Sequence, residues 1–270
     1  MTARIPRRII QTGKSRDLPM VARASAASVR ALNPDFEYLF FDDAAVEQFI
    51  DTQFPQHRPL FDAFPYRIQK YDFFRYLAIY HHGGFYFDLD IFLARGLEDL
   101  CDRGCVFPFE ELSMHAFLRD RHGMDWEVGN YAFGAAPGHP FIGAIIDNCV
   151  RAQREPDWPA AMWRPFPSLF REEFYVLDTT GPGLVSRTRA EFPDAAQQVQ
   201  VLFPPDVCDE RHWHQFGDYG VHMQEGGWRG RKSLWRRKLG ALWETRVRRA
   251  HLEAARRRGP TRNLDFARAR

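Results

Sequence analysis

The stretch PYRIQKYDFFRYLAIYHHGGFYFDLDI, from Pro65 to Ile91, constrains the chain more than any other, because it joins a helix, a glycine turn and a buried strand and ends on two carboxylates. From Tyr66 to about His81, apolar residues recur at Ile68, Phe74, Leu77 and Ala78, with Tyr71 and Tyr76 among them. That spacing predicts an amphipathic helix, which Gly83-Gly84 ends. Phe85-Tyr86-Phe87 is too short for a second helix and rich in strand formers, so it reads as a strand. Asp88 and Asp90 then stand where the apolar run stops, at the mouth of a sheet. If the chain stays extended, both point to one face and Leu89 to the other, so two oxygen donors converge. Such a pair suits Mg²⁺ or Mn²⁺, whose remaining positions are filled by phosphate oxygens and water. Alone, the triplet describes a solvated turn between two strands equally well.

The surroundings favour the metal. Asp72 and Arg75 lie three apart and share a helix face, yet they interrupt KYDFFRYL, a segment otherwise committed to burial. The pattern D-x-x-R-Y-x-x-x-Y-x-x-G-G-x-Y-x-D-x-D, at Asp72, Arg75, Tyr76, Tyr80, Gly83, Gly84, Tyr86, Asp88 and Asp90, resembles glycosyltransferase family 32. This is the DXD-containing sugar-binding-region family, related to initiating mannosyltransferases and, more distantly, to clostridial toxin glucosyltransferase domains. The resemblance implies an α/β fold of the GT-A type, with a mixed, mainly parallel sheet flanked by helices and the D-x-D at its carboxyl edge.

In chain order, Ile5 to Thr12 reads as a strand, Leu18 to Leu32 as a helix, Asn33-Pro34-Asp35 as a turn and Phe36 to Phe41 as a second strand. Asp43 is the expected cap of a helix running through Phe49. Strand, helix, strand, helix implies parallel pairing. The opening also resembles the family's at Ile5, Pro6, Ile9, Gln11 and Thr12, with Ile10 and Gly13 standing where the family has His and Trp. After the central stretch, Cys105 to Phe109 is an expected strand and Glu110 to Trp126 an expected loop carrying His115, Arg119, Arg121 and His122. Asn130, in a segment resembling N-x-x-x-G-A-x-P-G-H-P-F, is implied as a sugar-hydroxyl contact. Thr180-Gly181-Pro182-Gly183 is expected to follow a strand and open a helix whose first amides could hold an oxyanion. Val221 to Trp228 resembles V-H-H-W-x-G-S-W, which makes His222 the third metal-site candidate. Cys208, His212 and His214 lack a fourth partner for zinc.

The net charge of +2 conceals an asymmetry: from Trp228 onward there are 15 Lys and Arg against three Asp and Glu, so the preceding body is acidic. A catalytic domain over residues 1–228 with a basic helical tail over 229–270 is the expected organisation. In the tail, Trp235, Leu239, Leu242, Trp243 and Val247 recur at helical spacing among arginines. That pattern suits an interfacial helix on an anionic membrane, or a helix packed on the acidic body. Nucleic acid is not expected, since the tail carries no reading module. No apolar run reaches the roughly 20 residues that span a bilayer, and no apolar segment follows the charged N-terminus. A cytoplasmic location is therefore expected, possible at the inner membrane face, and the four cysteines are expected as reduced thiols.

The resemblance implies metal-dependent transfer of a hexose, with retention, from a UDP- or GDP-sugar to a hydroxyl of a glycan or glycolipid. Asp88, Asp90 and His222 would hold Mn²⁺ or Mg²⁺, and Asp72, Arg75, Asp88 and Asp90 form the catalytic set. Gln11, Thr12, Asp72, Arg75, Asn130, Gly181 and Trp228 are the implied substrate contacts. A metal-dependent phosphohydrolase would need a further ligand cluster. A non-catalytic membrane or nucleic-acid adaptor would leave D-x-x-R and D-x-D unexplained.

Overall fold

The computed structural model describes residues 4–224 and 234–258. The chain opens with β1 (Arg8–Thr12), α1 (Met20–Ala31), β2 (Glu37–Phe41), α2 (Asp43–Gln53), α3 (Arg58–Ala63) and α4 (Arg67–His82). There follow β3 (Gly84–Phe87), β4 (Ile91–Leu93), β5 (Cys105–Leu112), α5 (Ala116–His122), β6 (Trp126–Val128), β7 (Ala132–Ala135) and α6 (Pro140–Arg154). Next come α7 (Asp157–Trp163), α8 (Arg171–Thr179), α9 (Pro182–Glu191), α10 (Ala195–Gln198), β8 (Gln200–Leu202), β9 (Gln215–Phe216), β10 (Gly220–His222) and α11 (Leu234–Arg258).

The main sheet has the order β2-β1-β3-β7-β5-β6, with β8 also paired to β5. Strands β2, β1, β3, β5 and β8 run one way, while β7 and β6 run against them. The expected mixed, mainly parallel sheet is therefore present. Successive side chains alternate between its faces. Ile10, Tyr86, Phe107 and Phe133 join α2, α4, α6 and α9 in one core, and Ile9, Phe85, Phe87 and Val106 join α1 and β4 in the other. Gly84 lets β3 start hard against β1: its φ is +104°, and a Cβ there would stand 2.6 Å from the Arg8 carbonyl oxygen.

Several sequence expectations need correction. Helix α4 is not amphipathic in its centre, because every residue from Asp72 to Ile79 is buried. Helices pack on it from more than one side, so apolar residues all round are what its position demands. The cap of α2 is Asp42, which accepts a hydrogen bond from the Ala45 amide at 3.0 Å. Asp43 is the first helical residue and bonds Arg67 and Tyr71 instead. The expected loop from Glu110 to Trp126 contains the end of β5 and α5, and Thr180 to Gly183 follows a helix, α8, rather than a strand.

A small antiparallel sheet, β4-β10-β9, sits beside the main one and puts His222 opposite Ile91. The basic tail forms the helix α11, whose Leu252 and Ala255 pack into the main core. Arg248 donates to Glu111 at 2.7 Å and lies 5.2 Å over the Trp213 ring. The side chains of Trp235, Leu239, Leu242 and Trp243 lie outside the described residues. The four cysteines are free thiols. No described helix is long and apolar enough to cross a membrane.

Candidate active site

Asp88 directly follows β3 and Asp90 lies in the turn after it, closed by the Ile91 amide donating to the Asp88 carbonyl at 3.2 Å. The chain is thus not extended through Asp88-Leu89-Asp90. The carboxylates converge through this turn and through the pairing of β4 with β10, which brings in His222. Nε2 of His222 lies 3.3 Å from Asp90 Oδ2, and one ligand atom each from Asp88, Asp90 and His222 lie within 4.8 Å of one another. The His222 ring stacks on Tyr131, 4.3 Å between centroids, and its buried Nδ1 has no hydrogen-bond partner. Two carboxylates and an imidazole this close fit a divalent cation that accepts oxygen and nitrogen ligands.

Behind these three side chains lies a buried ionic network set by the i, i+3 spacing on α4. Arg75 Nη2 is 3.0 Å from Asp72 Oδ1, Nη1 is 3.3 Å from Asp88 Oδ2, and Nη1 also donates to the Asn130 carbonyl at 2.8 Å. The guanidinium sits 4.7 Å over the Tyr86 ring, and the Tyr86 hydroxyl donates to Asp88 Oδ1 at 2.9 Å. Asp72 in turn accepts from Thr180 Oγ1 at 2.9 Å and from Asn130 Nδ2 at 3.2 Å. Burial pushes the Asp72 carboxyl up to about 6, with Arg75, Thr180 and Asn130 pulling the other way. Burial likewise raises Asp88, against the pull of Arg75, while Asp90 reinforces the rise. Arg75 is raised despite desolvation, because Asp88, Tyr86 and Asp72 surround it.

The remaining candidates take distinct places. Asn130 is 7% exposed and spends its amide on Asp72 and on the Tyr76 hydroxyl at 2.9 Å, so it braces the network. Gln11 is fully buried, donating to the Asp88 carbonyl at 3.3 Å and accepting from the Tyr38 hydroxyl at 2.9 Å. Thr12 Oγ1 lies 3.0 Å from the Tyr86 hydroxyl. Gly181 caps α9; its amide already bonds the Val176 carbonyl, and a Cβ there would lie 2.9 Å from the Leu177 Cα. Trp228 falls outside the described residues.

A cavity of about 350 Å³ opens over Asp72, Arg75, Asp88, Asp90 and His222, with Gly181 on one wall and Glu110 on another. The three aspartates outnumber the one arginine, so the cavity carries excess negative charge that a metal cation would neutralise. Sequence patterns gave Glu110 and Tyr131 no role and marked Thr180 only as part of a helix-opening turn, not as the partner of Asp72. For Glu110 a signal exists: like Asp88, it follows an apolar run, Val106 to Phe109, at the point where the sequence turns acidic.

Residues 19–107 match the family model described as a glycosyltransferase sugar-binding region containing the DXD motif. Inositol phosphoceramide mannosyltransferase 3 of Schizosaccharomyces pombe is 31% identical over 219 residues, which cover 80% of this chain and 54% of that protein. Mannosyl phosphorylinositol ceramide synthase CSH1 of Saccharomyces cerevisiae is 32% identical over 207 residues, covering 75% of this chain and 48% of that protein. The chain thus spans about half the length of these curated relatives. Among solved structures, the PaToxG glycosyltransferase superposes with a TM-score of 0.50 over 72% of each chain at 16% identity, a likeness of fold.

Proposed function

Since the chain belongs to the DXD-containing glycosyltransferase sugar-binding-region family, we propose that it transfers a hexose, mannose in the first instance, from a nucleotide diphosphate sugar to a hydroxyl of a glycan or glycolipid. The observation that carries this reading is the convergence of Asp88, Asp90 and His222 within 4.8 Å at the edge of a cavity that also holds Asp72 and Arg75. The names of the relatives, which specify mannosyl transfer to inositol phosphoceramide, direct the choice of sugar and of a lipid-linked acceptor. Such an acceptor is met at a membrane face, where the basic tail would add attraction to anionic lipid.

Asp90 and His222 would hold Mn²⁺ or Mg²⁺ directly, and Asp88, engaged by Arg75 and Tyr86, would share that ion while facing the donor. A divalent ion bound there supplies positive charge for the departing diphosphate. Arg75 is fixed by three oxygen acceptors and keeps Asp72 and Asp88 in place before any ligand arrives, so the site is preorganised. The family resemblance described above further implies that the anomeric configuration is retained.

The test is thermal melting with Mn²⁺ and a panel of UDP- and GDP-sugars. A ligand at about 100 times its Kd stabilises the native state by about 2.7 kcal/mol. Asp90→Asn should abolish that shift and turnover while leaving ligand-free stability within about 1 kcal/mol. A wild-type protein whose melting ignores every such combination, and which hydrolyses and transfers none of them, would end the transferase reading.

A further inference from the structure

The bulge in β5 brings a fourth acid, Glu110, to the same cavity. Pairing between β5 and β6 shifts register between Phe109 and Leu112, and a bulge of this kind redirects side chains that would otherwise alternate. Consecutive Glu110 and Glu111 consequently both reach one imidazole. Glu110 Oε1 is 3.0 Å from His214 Nδ1, and Glu111 Oε2 is 3.8 Å from His214 Nε2. The backbones are tied as well, with the His214 amide donating to the Glu110 carbonyl at 3.2 Å and the His222 amide to the His214 carbonyl at 3.0 Å. His214 sits at φ +56°, in the left-handed region that a residue with a side chain seldom adopts. Strain of this sort persists where surrounding contacts over-determine it, commonly beside a functional site.

Glu110 lines the cavity with Asp88, Asp90 and His222 but is not part of the three-residue metal cluster. Its Oε2 is buried without a hydrogen-bond partner, in space that exists because residue 129 is glycine: a Cβ there would lie 2.3 Å from that oxygen. A half-satisfied carboxylate at a cavity wall is costly unless a ligand donor completes it. The sheet order also places it. In β1-β3-β7-β5, Gln11 and Thr12 approach Asp88 from the β1 side, whereas Glu110 stands two strands away on the other side.

Resting on the transferase reading above, we infer that Glu110 is a catalytic residue on the acceptor side, taking the proton of the attacking hydroxyl, with His214 as its positioning residue. In the step, the acceptor O–H bond breaks and its proton passes to the Glu110 carboxylate. The acceptor oxygen forms the new bond to the anomeric carbon. The bond from that carbon to the phosphate oxygen breaks, and its electron pair leaves on the nucleoside diphosphate. The proton on Glu110 is then lost to water.

The experiment uses the full chain with Mn²⁺ and the nucleotide sugar giving the largest melting shift, and follows donor hydrolysis, in which water takes the acceptor's place. Glu110→Gln preserves shape but cannot accept the proton. Its kcat should fall at least about 100-fold, the lower end for a positioned base, with donor KM and the donor-induced melting shift unchanged. Glu110→Asp keeps the charge at a shorter reach and should recover part of that rate. His214→Gln should lower kcat about tenfold, again without moving donor KM. A Glu110→Gln protein that binds donor normally and hydrolyses it within threefold of wild type overturns the assignment and leaves the transferase reading intact. Loss of the melting shift in Glu110→Gln, with ligand-free stability retained, would make Glu110 a donor-binding group and also overturn it. A wild-type protein that neither binds nor hydrolyses any nucleotide sugar removes the transferase reading itself.

Discussion

Arg75 and His115 each sit between two carboxylates in the interior, yet the two clusters do opposite work. Arg75 joins Asp72 and Asp88, and the Asp88 side chain keeps 27% of its surface at the edge of the cavity. His115 joins Glu127 at 2.8 Å and Asp178 at 3.0 Å, with none of the three side chains more than 8% exposed. Phe166 and Phe174 close over its ring, with centroids 5.2 and 5.6 Å away. The sealed cluster ties α8 to the β5–β6 hairpin. It also reaches the open one through the chain, since Asp178 precedes Thr179, which accepts from Gln69 at 2.7 Å, and Thr180, which donates to Asp72. One cation–carboxylate pattern therefore serves as scaffold where no space adjoins it and as site where space does.

The largest break between the clusters should come from His115→Ala. Removing the imidazolium takes from Glu127 and Asp178 the cation they share, and breaking a buried pair in this way costs about 3–5 kcal/mol. For a chain of this size each kcal/mol moves Tm by roughly 2–4 °C, so differential scanning calorimetry should show a fall of about 6–20 °C. A fall below about 3 °C would mean that the cluster holds nothing together.

A pH series separates the clusters further. Burial alone would lower His115, but Asp178 and Glu127 outweigh it and lift the imidazole from its ordinary 6.5 to about 10. A group raised on folding contributes stability that is complete below its unfolded value and is lost as pH climbs through the folded one. Wild-type Tm should accordingly decline between about pH 6.5 and 10, by the equivalent of a few kcal/mol. His115→Gln should start lower and show a flatter profile over that window. Parallel curves would remove the imidazolium from the account.

The smallest effect concerns the open cluster. Arg75→Lys retains charge but loses the planar fork that reaches Asp72, Asp88 and the Asn130 carbonyl together. Turnover should drop more than about tenfold, roughly 1.4 kcal/mol of transition-state stabilisation, with a smaller change in Tm than His115→Ala produces. An unchanged rate would make Arg75 as purely structural as His115.

The amino-acid sequence by itself determined the inner half of the site. Asp72 and Arg75 are fixed by helical spacing, and Gly83-Gly84 followed by an aromatic run sets where Asp88 emerges, because these relations span fewer than about twenty residues and obey local geometry. The tertiary structure decided the rest. His222 meets Asp90 only because β10 pairs with β4 across more than 120 residues of chain, and short apolar segments do not encode which partner they will choose. Glu110 looked like the start of a loop because a bulge interrupts the alternation by which strands are read. His115 looked like a polar loop residue because its two carboxylates come from β6 and α8, and only their meeting makes a buried imidazolium stable. The i, i+3 and strand-end relations were legible since bond geometry alone enforces them, whereas pairing, bulging and charge burial depend on what the folded chain places alongside.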